Sequence, residues 1–382
     1  MASHWKDPKF FHATAVLAGT MVGVGIFGIP FVFAKAGFWV ATLHLFVLAA
    51  VTALFNLLFA ELVLRTGGIH QLPGYAGAWL GPWAKRVVMF CNVFGIYGAL
   101  IAYLAVVGQF LHNILAEVVT IDPQLYAVGF AILISLFWVG RIKTIAVVEF
   151  SMVAILAIVM GVIIATGTPH MQFVNLAGWT PEFWFLPYGV LLFGLAGLTS
   201  VPIMRELLTG KEHILRPAIL WAVGIISALY WVFALVVVGV SGETTSPEAL
   251  SGLFEFLGAP IVLLGSLLGV LTIATSYLML GTALFDIFNT DYKLRPSLAW
   301  LASLIPPVAL YWFGLRDFIS MIGIVGALAI GVESTIFIAA FLRARSSKGK
   351  REPEFIVRVP KVVLAILGAM FIAGSIYALT MY

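Results

Sequence analysis

The feature that most constrains this chain is a glycine-rich stretch inside its first long apolar segment. Residues 19–30 carry four glycines and end at Pro30. A helix at membrane depth should be regular, because lipid offers no partner for an unpaired backbone N–H or C=O group. Irregular backbone is tolerated there only where protein surrounds it or where it lines a cavity. The stretch is therefore a candidate binding site.

The composition places the chain in a membrane. Of its residues 62% are hydrophobic and 10% are charged, with a mean hydropathy of +1.09, whereas soluble domains carry about 25% charged residues. The recurring apolar runs have the length of spanning helices and are too long for the strands of a membrane barrel. We predict an all-α integral membrane protein with eleven transmembrane helices. The predicted spans are 10–37, 39–64, 86–116, 124–140, 143–167, 184–208, 216–241, 258–286, 296–314, 318–342 and 360–381.

The positive charges agree with these spans. Lys and Arg accumulate in cytoplasmic loops, and with the N-terminus inside only Lys35 and Arg316 fall on the outer side. The C-terminus is then predicted outside. We expect the first helix to be retained, since no Ala-x-Ala cleavage pattern follows it. The net charge of +4 does not indicate a nucleic-acid partner. Because Cys91 is the single cysteine, an intramolecular disulfide is excluded.

A second interruption lies in the sixth span, where glycines at 194 and 197 precede Pro202. It falls five helices after the first, so the two interrupted helices run in opposite directions. Matching interruptions in two halves point to the binding site of a transporter with inverted repeats. We predict one membrane domain with repeats at 10–168 and 184–343 and an additional helix at 360–381. Close helix packing through small residues is the alternative explanation.

Other motifs indicate no enzyme chemistry. Residues 23–28 match the Gly-x-Gly-x-x-Gly fingerprint of dinucleotide-binding folds, but the required strand and acidic ribose partner are missing. Residues 19–23 match a pattern for association of membrane helices, which remains an alternative. The histidines show no His-x-x-x-His pair, and no cysteine or carboxylate cluster completes a metal site. We therefore expect no catalytic residue.

The eighth span offers ligands for a cation. Thr272, Thr275 and Ser276 are three and four residues apart and so share a helix face. Their hydroxyl oxygens, with carbonyls freed where the first helix unwinds, could hold a hard cation such as Na⁺. Alternatively, the hydroxyls bond back to the carbonyls of their own helix.

Glu61, Glu149 and Glu333 are acidic residues within predicted spans, where carboxylates are costly and usually functional. Glu61 precedes Arg65 by four residues, which favours a local ion pair. Glu149 suits a gate, a structural role or coupling. Glu333 lies at the depth of the proposed cation and could neutralise it or carry a proton; a satisfied structural carboxylate is the alternative.

The sequence resembles the amino acid permeases of the amino acid-polyamine-organocation superfamily, which have the leucine-transporter (LeuT-type) fold. Within it the resemblance is closest to the hydroxy/aromatic amino acid permeases and the related neutral amino acid transporters. It rests on the glycine-rich first helix, Arg65-Thr-Gly-Gly, Gly74-Tyr-Ala, Leu80-Gly-Pro-Trp, Ala274-Thr-Ser-Tyr and Leu284-Phe-Asp. The implied fold is a 5+5 inverted repeat with discontinuous helices 1 and 6.

The resemblance also implies ligands residue by residue. Carbonyls of Gly19 and Val22 would bind sodium with the three hydroxyls of the eighth span. Amides around Val24 and Gly25, beside Thr20 and Gly23, would receive the substrate carboxylate, as expected at a helix N-terminus. Carbonyls near Phe193 and Gly194 would accept from the substrate amine. Ile26 stands where an asparagine would ligate a second ion, so at most one sodium is implied, and many related permeases use protons instead.

The leading hypothesis is a secondary active symporter that imports a neutral, large or aromatic amino acid by alternating access in the inner membrane of a prokaryote. Gly194, Ala196 and Gly197 would leave room for the substrate side chain. Either Tyr97 or Tyr103 in the third helix could contact it. An ion channel and a non-transporting amino acid sensor are the alternatives. The expected partners are the amino acid and the lipid bilayer; the oligomeric state stays open, with a monomer as the simplest expectation.

Overall fold

A computed structural model describes residues 7–115, 118–119, 121–138, 145–347 and 351–381, without the side chains of 145–154 and 381. Within these ranges the regular structure is helical throughout. The α-helices are α1 (Pro8–Met21), α2 (Gly25–Ala36), α3 (Phe38–Arg65), α4 (Leu72–Leu80), α5 (Pro82–Leu115), α6 (Pro123–Ser135), α7 (Ile145–Gly167), α8 (Leu186–Gly194), α9 (Ser200–Leu207), α10 (Leu215–Ser241), α11 (Phe254–Leu257), α12 (Ala259–Asp286), α13 (Pro296–Trp312), α14 (Phe318–Ile324), α15 (Gly331–Ser346) and α16 (Lys361–Met381).

Several helices can cross a bilayer on their own. Six described helical segments are long and apolar enough, and α1 with α2 makes a seventh if the bent pair counts as one span. The helix α6 is shorter than the predicted span 124–140. Its 13 residues extend about 20 Å, against a bilayer core of about 30 Å. The chain is thus an all-helical membrane protein, with α6 below the usual spanning length.

A helix that we did not predict precedes the third span. The short α4 ends at Gly81, whose φ of +89° favours glycine, and α5 begins at the next residue. The turn separates the axis of α4 from that of α5. Tyr75 on α4 is fully buried, with its ring against Phe59 of α3. The segment 72–80 therefore packs as a helix beside the bundle, between the predicted spans 39–64 and 86–116, where no helix was predicted.

Both predicted interruptions are confirmed. Between α1 and α2 the backbone of Val22 is extended, with φ −78° and ψ 94°, and the helix axes bend by 60°. Between α8 and α9 the residues 195–199 are non-helical. Pro30 and Pro202 lie inside the helices that follow, so the chain breaks at the glycine-containing stretches and not at the prolines. We call residues 22–24 and 195–199 the two breaks.

The breaks lie against each other at the centre of the bundle. A Cβ added to Gly25 would lie 3.2 Å from the Gly194 Cα and 3.0 Å from the Phe193 ring. A Cβ on Gly197 would lie 2.4 Å from the Leu17 side chain of α1. These approaches leave no room for larger residues. Glycine at 25 and 197 is therefore what allows the two broken helices to cross.

The predicted ion pair of Glu61 is confirmed and extends further. The carboxylate of this fully buried residue accepts from Arg65 Nε at 2.9 Å and from Arg345 Nη2 at 3.0 Å. The backbone N–H of Val357 also donates to it, at 2.7 Å. One carboxylate thus joins α3, α15 and the segment that leads into α16.

Candidate functional site

A cavity of about 250 Å³ lies where the two breaks meet α3, α5 and residues 325–334. Its walls are mostly apolar with a few polar groups, as is usual for small-molecule sites. Nine of the ten predicted substrate-binding residues line it: Thr20, Gly23, Val24, Gly25, Tyr103, Phe193, Gly194, Ala196 and Gly197. The structure therefore gathers around one cavity the residues that the sequence predicted from two distant segments.

The first break presents unpaired donors. Ile26 and Phe27 donate their N–H groups back to carbonyls of the break, at 3.2 and 3.1 Å. The N–H groups of residues 23–25 have no acceptor among the described residues. Unpaired amides at a helix N-terminus bind anions, and the helix dipole favours a negative charge there. This geometry suits the predicted carboxylate position at Val24 and Gly25.

The second break differs from the prediction. We expected the carbonyls of Phe193 and Gly194 to be available to an amine, but Phe193 O accepts from Ala196 N at 3.2 Å and Gly194 O lies 2.9 Å from the Tyr230 hydroxyl. The carbonyls of Leu195 and Ala196 have no donor within the described part of the chain. Because both residues line the cavity, the free acceptors lie one to two residues later than predicted.

The choice between the two tyrosines of α5 is answered by geometry. Tyr97 donates its hydroxyl to the Ala302 carbonyl of α13 at 2.6 Å and does not line the cavity, so of the two alternatives the geometry favours Tyr103. Tyr103 lines the cavity, and a Cβ on Gly23 would lie 3.9 Å from its hydroxyl. Tyr103 therefore lies at the first break.

Gly197 is required by packing, whereas Gly194 is not. The position of a Cβ on Gly197 is filled by Leu17 and Met21, so the absence of a side chain there lets α1 approach. A Cβ on Gly194 would make only ordinary contacts with Ile29 and Tyr230 at 3.5 Å. Both residues border the cavity, and the prediction that they make room for a large substrate stays a prediction.

The predicted cation ligands are only partly arranged for that role. The carbonyls of Gly19 and Val22 have no donor among the residues described, as a ligand role requires. Thr275, however, donates its hydroxyl to the Thr272 carbonyl at 2.9 Å, which is the alternative considered for this face. Neither Thr272, Thr275 nor Ser276 lines the cavity. Within the described ranges no group of His, Cys, Asp or Glu residues could hold a metal.

The proton-coupling candidates have different outcomes. Glu333 lines the cavity, and its Oε1 is buried without a hydrogen-bond partner among the described residues. The side chain of Glu149 lies outside the described residues, so its role stays a prediction.

Two further polar residues, Asn56 and Ser334, line the cavity. Each is 1% exposed, and Asn56 Oδ1 and Ser334 Oγ are unpaired within the described structure. We had not singled them out, although an amide inside an apolar span is a visible signal.

Beyond the cavity, a surface ion pair joins the two broken helices. Asp7 caps α1, accepting from Lys9 N, and Lys211 Nζ lies 2.5 Å from its carboxylate. The hydrogen bond from Lys211 holds the pKa of Asp7 below its usual value. Because Lys211 follows α9, the start of α1 is tied to the end of the second broken helix.

Similarity to a known protein family extends over almost the whole chain. A family model described as the Tryptophan/tyrosine permease family matches residues 6–378. The chain belongs to this family. It is therefore a transporter and not an enzyme, and its fold is LeuT-like. With its apolar helices and the bacterial relatives described next, this permease is a multi-pass inner-membrane protein of a prokaryote.

Individual relatives cover most of the chain. The permease is 26% identical over 347 residues to Tyrosine-specific transport system 1 of Haemophilus influenzae, covering 84% of each chain. It is 25% identical to the tyrosine permease of Enterobacter agglomerans, covering 97% of this chain and 95% of the relative. Glutamine transporter 2 of Aliivibrio fischeri is 22% identical, with 87% of each chain covered. Among solved structures, MhsT in complex with L-phenylalanine matches with a TM-score of 0.64 at 13% identity, covering 100% of this chain and 98% of MhsT.

Proposed function

We propose that this permease is a secondary active symporter that imports a neutral amino acid, large or aromatic, together with one Na⁺ or H⁺, by alternating access. The observation that carries the proposal is the cavity at the two breaks, where residues 23–25 offer unpaired N–H groups. The substrate carboxylate binds these amides. The substrate amine donates to the free carbonyls of Leu195 and Ala196.

The side chain of the substrate is proposed to lie toward α3 and α15. Asn56 and Ser334 each lie three residues before a ring, Phe59 and Phe337, and the ring centroids are 4.7 Å apart. In the proposed topology α3 and α15 are the second and tenth spans and run parallel, so the two polar groups lie at about one level. Buried acceptors without donors are costly, and a phenol or carboxamide would satisfy them. The relatives named for tyrosine and for glutamine transport side chains with such donors.

Uptake into proteoliposomes tests the proposal. Purified permease should accumulate radiolabelled tyrosine, tryptophan or glutamine when a sodium or proton gradient is imposed, and unlabelled tyrosine should compete better than phenylalanine. Liposomes without protein are the control. No uptake of any amino acid under either gradient would refute the proposed function.

The coupling ion is either H⁺ or Na⁺, and a separate variant tests each alternative. Glu333 supports proton coupling, because its carboxylate lies in the substrate cavity, whereas the hydroxyls of α12 lie outside it. If protons couple, Glu333→Gln abolishes accumulation driven by a pH gradient but keeps substrate exchange. If sodium couples through Gly19, Val22 and α12, Thr275→Ala and Ser276→Ala remove the sodium dependence. Unchanged behaviour of a variant excludes the corresponding alternative.

The proposed topology has eleven spans, with the N-terminus inside and the C-terminus outside. It combines inverted repeats at 10–168 and 184–343 with a final helix at 360–381. The second broken helix comes five spans after the first, and this odd offset supports opposite orientations of the two broken helices. Reporter fusions that are active on only one side of the membrane test the topology. A C-terminal reporter active in the cytoplasm would contradict it.

A further inference from the structure

We propose that Tyr230 is a positioning residue of the substrate site, whose hydroxyl holds the two breaks together in the place where a cation would otherwise do so. This inference rests on the proposed transport function. Tyr230 lies on α10, outside both broken helices, and it does not line the cavity. Its proposed effect on substrate binding is therefore indirect, because it sets the positions of the two breaks.

The geometry of the hydroxyl is specific. Tyr230 is fully buried, and its hydroxyl oxygen lies 2.7 Å from Met21 O and 2.9 Å from Gly194 O. Met21 is the last residue of α1, and Gly194 is the last residue of α8. The last carbonyls of a helix have no partner within it. The single O–H proton of Tyr230 is therefore shared between two orphan carbonyls, one from each broken helix.

These carbonyls are of the kind that cations bind. Carbonyls at the ends of broken membrane helices coordinate coupling ions in transporters. Here a neutral O–H group sits within hydrogen-bond distance of both oxygens, so it already fills the position between them. The neighbouring Ile26 is fully buried and apolar and adds no oxygen ligand. The crossing of α1, α8 and α10 is therefore closed to a cation.

The substrate groups follow directly after the two carbonyls. The free amides at residues 23–25 begin two residues beyond Met21, and the free carbonyls at 195–196 follow Gly194. Where the hydroxyl is missing, the two buried carbonyls lose the one donor that they share, and the breaks separate or rotate to find another partner. Either change moves the groups for the substrate carboxylate and amine relative to each other.

The test compares three conservative variants. Tyr230→Phe removes the bridging hydroxyl. Tyr188→Phe is the matched control on α8, because it also removes a tyrosine bond to a carbonyl, Met370 O at 3.3 Å, but away from the breaks. Tyr277→Phe removes a buried hydroxyl that has no partner among the described residues. Apparent KM and maximal rate of uptake are measured for each, with thermal unfolding in detergent.

We expect Tyr230→Phe to raise the apparent KM about ten-fold, the effect of leaving one buried carbonyl without a donor. Tyr188→Phe should lower thermal stability comparably while keeping the KM of the wild type. An unchanged KM in Tyr230→Phe, or an equal rise in Tyr188→Phe, would overturn the inference while leaving the transport function standing. Inactive wild-type protein would overturn both.

A measurement on the unmodified permease covers the case in which Tyr230→Phe fails to fold. If Tyr230 closes the crossing to cations, uptake depends on sodium concentration with a Hill coefficient of at most about one, or not at all. A Hill coefficient near two would require a second cation and would overturn the inference.

Discussion

The contact between the two breaks can be tested by adding a single methyl group. In Gly25→Ala the new Cβ would lie 3.0 Å from the Phe193 ring and 3.2 Å from the Gly194 Cα, whereas comfortable carbon contacts are about 3.5–4.0 Å. The Phe193 ring can turn aside, but the Gly194 backbone cannot. Overpacking of this kind costs about 1–3 kcal/mol, and the higher helix propensity of alanine returns up to about 1 kcal/mol.

The net expectation is a loss of about 1–2 kcal/mol in stability and a rise of about ten-fold in apparent KM, since each 1.4 kcal/mol is a factor of about ten. Thermal unfolding in detergent and tyrosine uptake into proteoliposomes measure the two effects. Gly224→Ala is the matched control, because a Cβ on this exposed glycine of α10 meets no heavy atom within 4 Å. If Gly25→Ala and Gly224→Ala behave alike, the two breaks are not in the contact described here.

Three further predictions follow from the side chains around the cavity and at the ends of the helices. Tyr103→Phe should raise the KM for the substrate by about three- to ten-fold, the worth of one hydrogen bond, and Tyr97→Phe should have the smaller effect; equal effects would contradict the assignment. Cys91, the single cysteine, lines the cavity, so saturating substrate should slow its alkylation as followed by mass spectrometry, and no protection would place the substrate elsewhere. Glu61→Gln should cost about 3 kcal/mol in thermal unfolding, because it leaves Arg65 and Arg345 without their shared carboxylate; an unchanged melting temperature would show the network to be dispensable.

The breaks could be predicted from sequence because they violate a local rule. Glycines followed by proline in an apolar run disfavour a regular membrane helix, and their recurrence in two spans indicated the two breaks by residue number. The cavity lining followed from this, since a chain that unwinds at membrane depth has to face a cavity or protein. Thr20 and Ala196 were therefore found without knowledge of any contact.

The directions in which side chains point could not be predicted from sequence in the same way. Tyr97 and Tyr103 are six residues apart, so at 100° per residue they lie on faces about 120° apart, and the sequence of α5 does not say which face meets the breaks. The proposed role of Tyr230 could not be predicted from sequence for a related reason. A tyrosine in an apolar span violates no local rule, and its importance comes from two carbonyls that are 36 and 209 residues away in sequence.

Helix ends were the other unpredictable element. The helix α6 stops at Ser135, and three residues later Trp138 is fully buried against Gly281 of α12, where an added Cβ would lie 2.0 Å from its ring. The apolar run continues to 139, so hydropathy alone extends the span. The packing of one large ring against one glycine ends the helix earlier, and hydropathy contains no information about such a pair.

The contacts of α1 and α9 indicate how the site can change shape. The two helices are in contact at the breaks through Gly197 and Leu17, and they are linked at the ends remote from the breaks through Asp7 and Lys211. We therefore expect α1 and α9 to move as a pair in the proposed transport cycle. Arg205 of α9 is 9% exposed and donates from Nη1 to three carbonyls at the end of α3, at 2.7, 3.3 and 2.9 Å. A buried guanidinium without partners is costly, so movement of the pair away from α3 would require new partners for Arg205.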